Sequence, residues 1–209
     1  MNHGRFITFE GIEGAGKSSN IRYAEALLQA NSKSVVVTRE PGGTPLGEAL
    51  RELLLGRRHG AVSSKAELLM MFAARSQHLE SKILPAVERG EWVICDRFTD
   101  ATYAYQGGGR QLDSAMISVL ESLVQDAFRP DLTVLLDLPV AVGLERAGKR
   151  SSPDRFEREQ HDFFERVRYA YLQIAAAEPQ RVRVVDASLS LHQVQRQIES
   201  ILTSYMQTG

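Results

Sequence analysis

The sequence predicts an α/β chain in three layers: a parallel sheet of about five strands, helices on both of its faces, and a small lid. Three observations carry this. Short apolar runs alternate with long amphipathic stretches, the rhythm that builds a parallel sheet from βα units. A glycine-rich loop joins the first apolar run to the first helical stretch. No repeat, low-complexity tract or Pro/Gly-rich linker divides the 209 residues, so 1–209 reads as one domain.

The elements follow from the pattern. Strands are expected at 6–9, 35–38, 92–95, 132–136 and 182–185. These runs are short and rich in β-branched residues, as strands buried on both faces are. Helices are expected at 17–31, 46–55, 65–89, 114–128, 141–147, 157–177 and 191–205. Pro41-Gly42-Gly43-Thr44-Pro45 and Gly107-Gly108-Gly109 read as functional loops. The polar segment from Lys149 to Asp154 interrupts two helical stretches and reads as the centre of a mobile lid over about 146–157.

Composition excludes several classes. With 25 Lys+Arg against 26 Asp+Glu, the formal charge is −1, which argues against bulk electrostatic binding to nucleic acid or to an anionic membrane. Cys95 is the single cysteine, so no intrachain disulfide framework forms and a reducing cytoplasm fits. No apolar run approaches the ~20 residues of a spanning helix, and no signal peptide is read at the N-terminus.

The strongest motif is Gly11-Ile12-Glu13-Gly14-Ala15-Gly16-Lys17-Ser18, which matches G-x-x-x-x-G-K-[ST] at every fixed position. A strand runs in and a helix runs out, as phosphate binding by backbone N–H groups and a helix N-terminus requires. Lys17 would reach the β- and γ-phosphates, and the Ser18 hydroxyl would ligate Mg²⁺. The loop therefore implies a nucleoside triphosphate. No N-K-x-D or D-x-x-G motif of a GTPase switch accompanies it. The chain is also too short for a motor or a helicase, which leaves a small kinase.

Two further groups fit that reading. Asp96 and Arg97 stand at the end of a buried strand, where ligands sit in open α/β sheets. Asp96 could position Mg²⁺ directly or through its waters, and Arg97 could neutralise transferring phosphate. Arg146, Lys149, Arg150 and Arg155 cluster about the lid, where a cation both stabilises charge and helps exclude water.

Four blocks, taken in order, resemble thymidylate kinase of the bacterial type. They are Phe9-Glu10-Gly11 leading into the phosphate loop; Thr38-Arg39-Glu40-Pro41-Gly42-Gly43-Thr44; Asp96-Arg97-Phe98 running on to Ala104-Tyr105-Gln106-Gly107; and Asp154-Arg155-Phe156-Glu157. The resemblance spans nearly the whole chain. It implies phosphorylation of dTMP to dTDP with ATP and Mg²⁺, in a cytoplasmic homodimer. It implies that Glu13 accepts a hydrogen bond from the acceptor's 3′-hydroxyl and that Arg97 and Arg51 hold the acceptor phosphate. It further implies that Arg75 donates to thymine O4, that Thr102 and Gln106 lie near the base, and that Tyr105 crowds the 2′ position against ribonucleotides. The phosphate loop holds no arginine and the lid is basic, so the chain resembles the lid-arginine type, with Arg150 bridging the donor and acceptor phosphates and Lys149 as the nearby alternative for that role.

Some positions depart from the family pattern. Met71 stands where a base-stacking phenylalanine is common, and Phe72 follows it. Either could cover the thymine, and Phe72 is favoured. Cys95 and Trp92 are read as packing; Phe163, Phe164, Tyr169, Tyr171 and Leu172 are read as core, with a dimer face as the alternative for some of them. The five histidines are scattered without metal-ligand spacing. The rival readings are a kinase for another small acceptor and a nucleotide-binding module without turnover. An intact Lys17, Ser18, Asp96 and Arg97 speak against the module, while Arg75 and Tyr105 would be pointless for a non-nucleotide acceptor.

Overall fold

The structure, a computed structural model, describes residues 4–56, 62–148, 156 and 159–208. Five parallel strands form one sheet in the order β2-β3-β1-β4-β5. They are β1 (Arg5–Glu10), β2 (Val35–Arg39), β3 (Trp92–Asp96), β4 (Leu132–Asp137) and β5 (Val182–Asp186). Each strand continues one residue past its apolar run and ends on a charged side chain: Glu10, Arg39, Asp96, Asp137 and Asp186. The C-terminal edge of the sheet is therefore polar while its middle is apolar. The inner strands β1, β3 and β4 are buried almost throughout; the edge strands β2 and β5 are half open.

The helices are α1 (Lys17–Ala30), α2 (Pro45–Leu55), α3 (Ser64–His78), α4 (Leu84–Glu88), α5 (Thr99–Thr102), α6 (Ser114–Gln125), α7 (Val140–Gly148), α8 (His161–Ala177) and α9 (Leu191–Thr208). Side chains start several of them. Thr44 accepts from the Gly47 N–H at 3.0 Å with Pro45 at the first helical position, and Ser63 accepts from the Ala66 N–H at 3.3 Å. Successive strand residues face opposite layers. Ile94 joins Ile7, Phe9, Val134, Phe164 and Ile198 on one side, while Val93 and Cys95 join Phe6, Leu79, Ile83 and Phe98 on the other.

Two expectations are corrected. The stretch 65–89 is not one α-helix, because a π-helical turn, Leu79–Ile83, separates α3 from α4. Pro85 sits at the start of α4 and has no N–H to give, so the regular ladder widens just ahead of it. Gly107, Gly108 and Gly109 are not a loop. They close a π-helical stretch, Tyr103–Gly109, that continues α5. Glycine is a poor helix former, but here its missing side chain is the point. A Cβ on Gly109 would stand 2.5 Å from the Phe163 ring, and one on Gly108 would stand 2.8 Å from Ala170 Cβ. The glycines let this stretch press against α8.

The topology sets three loops side by side. β1 lies between β3 and β4, with Phe9 level with Asp96 and Glu10 level with Leu135. The loops after these strands therefore leave the sheet together. The first also touches the start of α7. A Cβ on Gly14, at φ +75°, would lie 1.9 Å from the Gly143 carbonyl oxygen, and one on Gly143 would lie 2.6 Å from the Glu13 carbonyl oxygen. Only glycine at both positions allows that approach.

Gly109→Ala should therefore lower stability by about 1–3 kcal/mol through overpacking against Phe163. Urea unfolding would show this as a lower midpoint; an unchanged midpoint would contradict the packing described.

Candidate active site

A cavity of about 310 Å³ opens at the C-terminal edge of the sheet. Glu13, Gly14, Ala15, Gly16, Lys17 and Ser18 form one wall. Arg39, Glu40, Pro41, Arg51, Met71, Asp96, Arg97, Tyr105, Gln106 and Phe156 are among those that complete it. The phosphate loop keeps its shape through left-handed backbone at Gly14 and Gly16, and α1 begins at Lys17 without a side-chain cap. The Lys17 ammonium donates to the carbonyl oxygens of Gly11 at 3.1 Å and Ile12 at 3.3 Å. Burial, and then the charge of Arg97, push its pKa below the ordinary lysine value. An approaching phosphate would favour the charged form again.

Glu13 resolves an oddity of the sequence, an acid among phosphate-binding amides. Its Oε1 accepts from Arg97 Nη2 at 2.9 Å and its Oε2 accepts from the Tyr105 hydroxyl. The carboxylate is thus turned across the cavity and its charge is met by a guanidinium. Arg97 also lies over the Tyr105 ring, 4.6 Å from its centroid, and donates through Nη1 to the Tyr171 hydroxyl at 3.3 Å. That hydroxyl donates to Glu10 Oε2 at 2.7 Å. Glu10 is fully buried, and burial followed by the nearby Asp100 pushes its carboxyl up to about 8.

A second polar chain lies deeper. Arg75, without exposed surface, donates through Nε to Glu40 Oε2 at 2.8 Å and through Nη2 to Thr102 at 3.0 Å. His78 Nδ1 meets Glu40 Oε1 at 3.0 Å, and His78 Nε2 meets the Thr38 hydroxyl at 2.7 Å. The Arg75 guanidinium is sandwiched by aromatic faces, 4.8 Å from the Phe72 centroid and 4.9 Å from that of Phe98. Its Nη1 has no hydrogen-bond partner among the described residues. The same holds for Gln106 Oε1, whose Nε2 is committed to Glu67 at 2.7 Å. One orphan donor and one orphan acceptor are therefore buried in this part of the site.

The expected residues are distributed as follows. Glu13, Arg51, Arg97, Tyr105, Gln106, Lys17, Ser18 and Asp96 line one cavity. Arg51 is held there by a 2.9 Å hydrogen bond to the Pro41 carbonyl. Arg75 and Thr102 lie behind the wall as a bonded pair. Phe72 packs with Leu68 and Ile117 and beside Arg75, while Met71, the other candidate to cover the base, lines the cavity. One step along a helix turns a side chain by about 100°, which here aims Met71 at the cavity and Phe72 at Leu68 and Ile117. Arg150 and Lys149 lie outside the described residues, as does most of the lid.

Sequence reasoning missed Glu40, His78, Tyr171 and Glu10 as parts of the site. Glu40 carried a signal, being a carboxylate between a predicted apolar strand and a proline. Tyr171 is buried as expected, but its hydroxyl reaches Arg97; Tyr169, read as core or dimer face, is exposed. Cys95 is the core thiol expected, with burial pushing its pKa up. Among the described residues no group of three or more His, Cys, Asp or Glu forms a metal cluster, and no helix is long and apolar enough to cross a membrane.

Comparison with known proteins agrees with this geometry. The family model described as thymidylate kinase matches residues 9–198. A thymidylate kinase of Alcanivorax borkumensis is 57% identical, the match covering 95% of this chain and 96% of the relative. One of Hahella chejuensis is also 57% identical, over 95% of each chain. A crystal structure of thymidylate kinase from Ehrlichia chaffeensis superposes with a TM-score of 0.77 at 35% identity, covering 96% of this chain and 99% of that one. With the phosphate loop, the Arg-Glu-Pro block and the Asp96–Arg97 turn all meeting at one cavity, this chain belongs to the thymidylate kinase family.

Proposed function

We propose that this chain phosphorylates dTMP to dTDP by direct in-line transfer from ATP, with the residues of this cavity in the roles that follow. The observation that carries the reading is that the phosphate loop and Arg97, Arg51, Tyr105 and Gln106 line the same cavity. A donor cradle and an acceptor site then share one space, and reacting groups need only be positioned and their charge stabilised. The phosphate loop and Lys17 hold the ATP phosphates. Arg97 and Arg51 hold the acceptor phosphate, whose oxygen attacks the γ-phosphorus. No covalent enzyme intermediate is required.

Each acceptor role has local support. Glu13 faces Tyr105 and Arg97 and so can accept from a 3′-hydroxyl placed between them. The orphan Nη1 of Arg75 and Oε1 of Gln106 match the O4 acceptor and N3–H donor of thymine. Met71 covers the base by dispersion. The Tyr105 ring lies against Arg97 at the cavity wall, where it would crowd the sugar's 2′ position. Ser18 and Asp96 suit Mg²⁺, since both offer hard oxygen donors and Asp96 Oδ1 is buried without a partner among the described residues. When bound, Mg²⁺ would neutralise charge on the phosphates.

The lid at about 146–157 supplies Arg150 as the bridge between the two phosphates. One domain over 1–209 forms a homodimer in the cytoplasm, the compartment that suits a single buried cysteine. The dimer reading is supported by Leu69 on α3 and Val119 and Leu123 on α6, exposed apolar side chains on two helices that pack together.

Arg150→Ala should lower kcat/KM by ~10²-fold or more, since a phosphate-bridging arginine acts mainly in the transition state. A steady-state assay with kcat/KM unchanged would remove Arg150 from the mechanism. Leu123→Glu should convert the dimer to monomer in sedimentation; a variant that stays dimeric would place the interface elsewhere.

A further inference from the structure

Arg97 has a backbone conformation that its side chain does not favour. Its φ is +70°, in the left-handed region that costs a residue with a Cβ. Such strain persists only where the surroundings hold it, and it is concentrated at functional sites. The question is what holds Arg97.

Glu10 grips this turn at two points. Its Oε1 accepts from the Phe98 N–H at 2.7 Å, fixing the main chain on one side of Arg97. The Arg97 N–H itself donates to the Phe9 carbonyl at 3.0 Å. Glu10 Oε2 accepts from the Tyr171 hydroxyl at 2.7 Å, and that hydroxyl accepts from Arg97 Nη1. One buried carboxyl group thus fixes both the backbone and, through Tyr171, the guanidinium. It stands at the last position of β1, immediately ahead of the phosphate loop. The turn it holds follows β3, and the tyrosine comes from α8. Three elements distant in sequence meet at one oxygen pair.

The arrangement is costly, which argues that it does more than fill space. A carboxyl with no exposed surface, pushed up to about 8 by burial and by Asp100, is a poor choice for core packing alone. An apolar residue would pack there without that cost but could not hold the Phe98 N–H or the Tyr171 hydroxyl.

We propose that Glu10 and Tyr171 are positioning residues for phosphoryl transfer, holding the strained turn at Arg97 so that its guanidinium projects into the cavity beside Glu13. The proposal rests on the reading that Arg97 acts on the phosphates. Neither Glu10 nor Tyr171 lines the cavity, and both act through Arg97.

The test is steady-state kinetics of the full chain with Tyr171→Phe, which keeps the ring and removes only the bridging hydroxyl. The kcat for dTMP should fall on the order of tenfold or more, because small misplacements of a reacting group are expensive. The KM for ATP should stay near that of the parent. In an Arg97→Lys background the same substitution should have no further effect on kcat, since the residue it positions is gone. Should Tyr171→Phe fold poorly, Glu10→Gln keeps the shape and the acceptor for the Phe98 N–H while losing the acceptor for Tyr171, and the same pattern is expected. A kcat within twofold of the parent, or a loss that simply adds to that of Arg97→Lys, would overturn the positioning role. Arg97→Ala separates the two readings. If it leaves kcat intact, the role of Arg97 and this proposal both fall; if it abolishes kcat while Tyr171→Phe is silent, only the positioning role falls.

Discussion

The ion pair between Glu13 and Arg97 is the constraint on which the site depends. It joins the loop after β1 to the loop after β3, the two segments proposed above to hold the donor and the acceptor. It also settles where an acid inside a phosphate loop can go. Turned toward the phosphates, Glu13 would repel them; turned toward Arg97 and Tyr105, it neutralises a cation and orders a ring. The pair is partly buried, so solvent screens it less than a surface pair, and the Tyr105 hydroxyl occupies the second carboxylate oxygen.

Around this pair the fold supplies stiffness rather than further chemistry. Gly14 and Gly143 bring the start of α7 against the phosphate loop. The Tyr103–Gly109 π-helical stretch presses its glycines on α8 and so presents Tyr105 and Gln106 to the cavity. The Glu40 carboxylate ties Arg75 to His78, and through it to Thr38 on β2. Paired and hydrogen-bonded on both oxygens, Glu40 makes a buried guanidinium tolerable; without it the charge would be left uncompensated. These buried polar groups add little net stability. What they contribute is a fixed place for each donor.

Much of this was legible in the residues. The five strands were found because apolar runs bounded by helical stretches have few other interpretations, and the phosphate loop because its glycines and Lys17 occur in the right context. Elements were missed where a local signal conflicts with a tertiary one. Three consecutive glycines suggest a loop, yet here they serve close packing, Gly108 and Gly109 on α8 and Gly107 on Ile117 of α6. Met71 and Phe72 are both apolar at helical spacing, and only the helix phase decides which reaches the cavity. Glu10 and Tyr171 were illegible for another reason: a strand end and a helix interior 161 positions apart carry no local sign that they share a hydrogen bond.

The central claim is that Tyr105, locked by Glu13 and Arg97, shapes the acceptor site around a deoxyribose. It is tested most directly by comparing dTMP with ribothymidine 5′-monophosphate as acceptors in a coupled ADP-release assay, since the two differ only in the 2′-hydroxyl. The account predicts efficient turnover of dTMP and a kcat/KM lower by roughly a hundredfold for the ribonucleotide, a clash of one oxygen in a fixed pocket. Equal turnover of both would contradict it, and would mean that the ring does not guard the sugar.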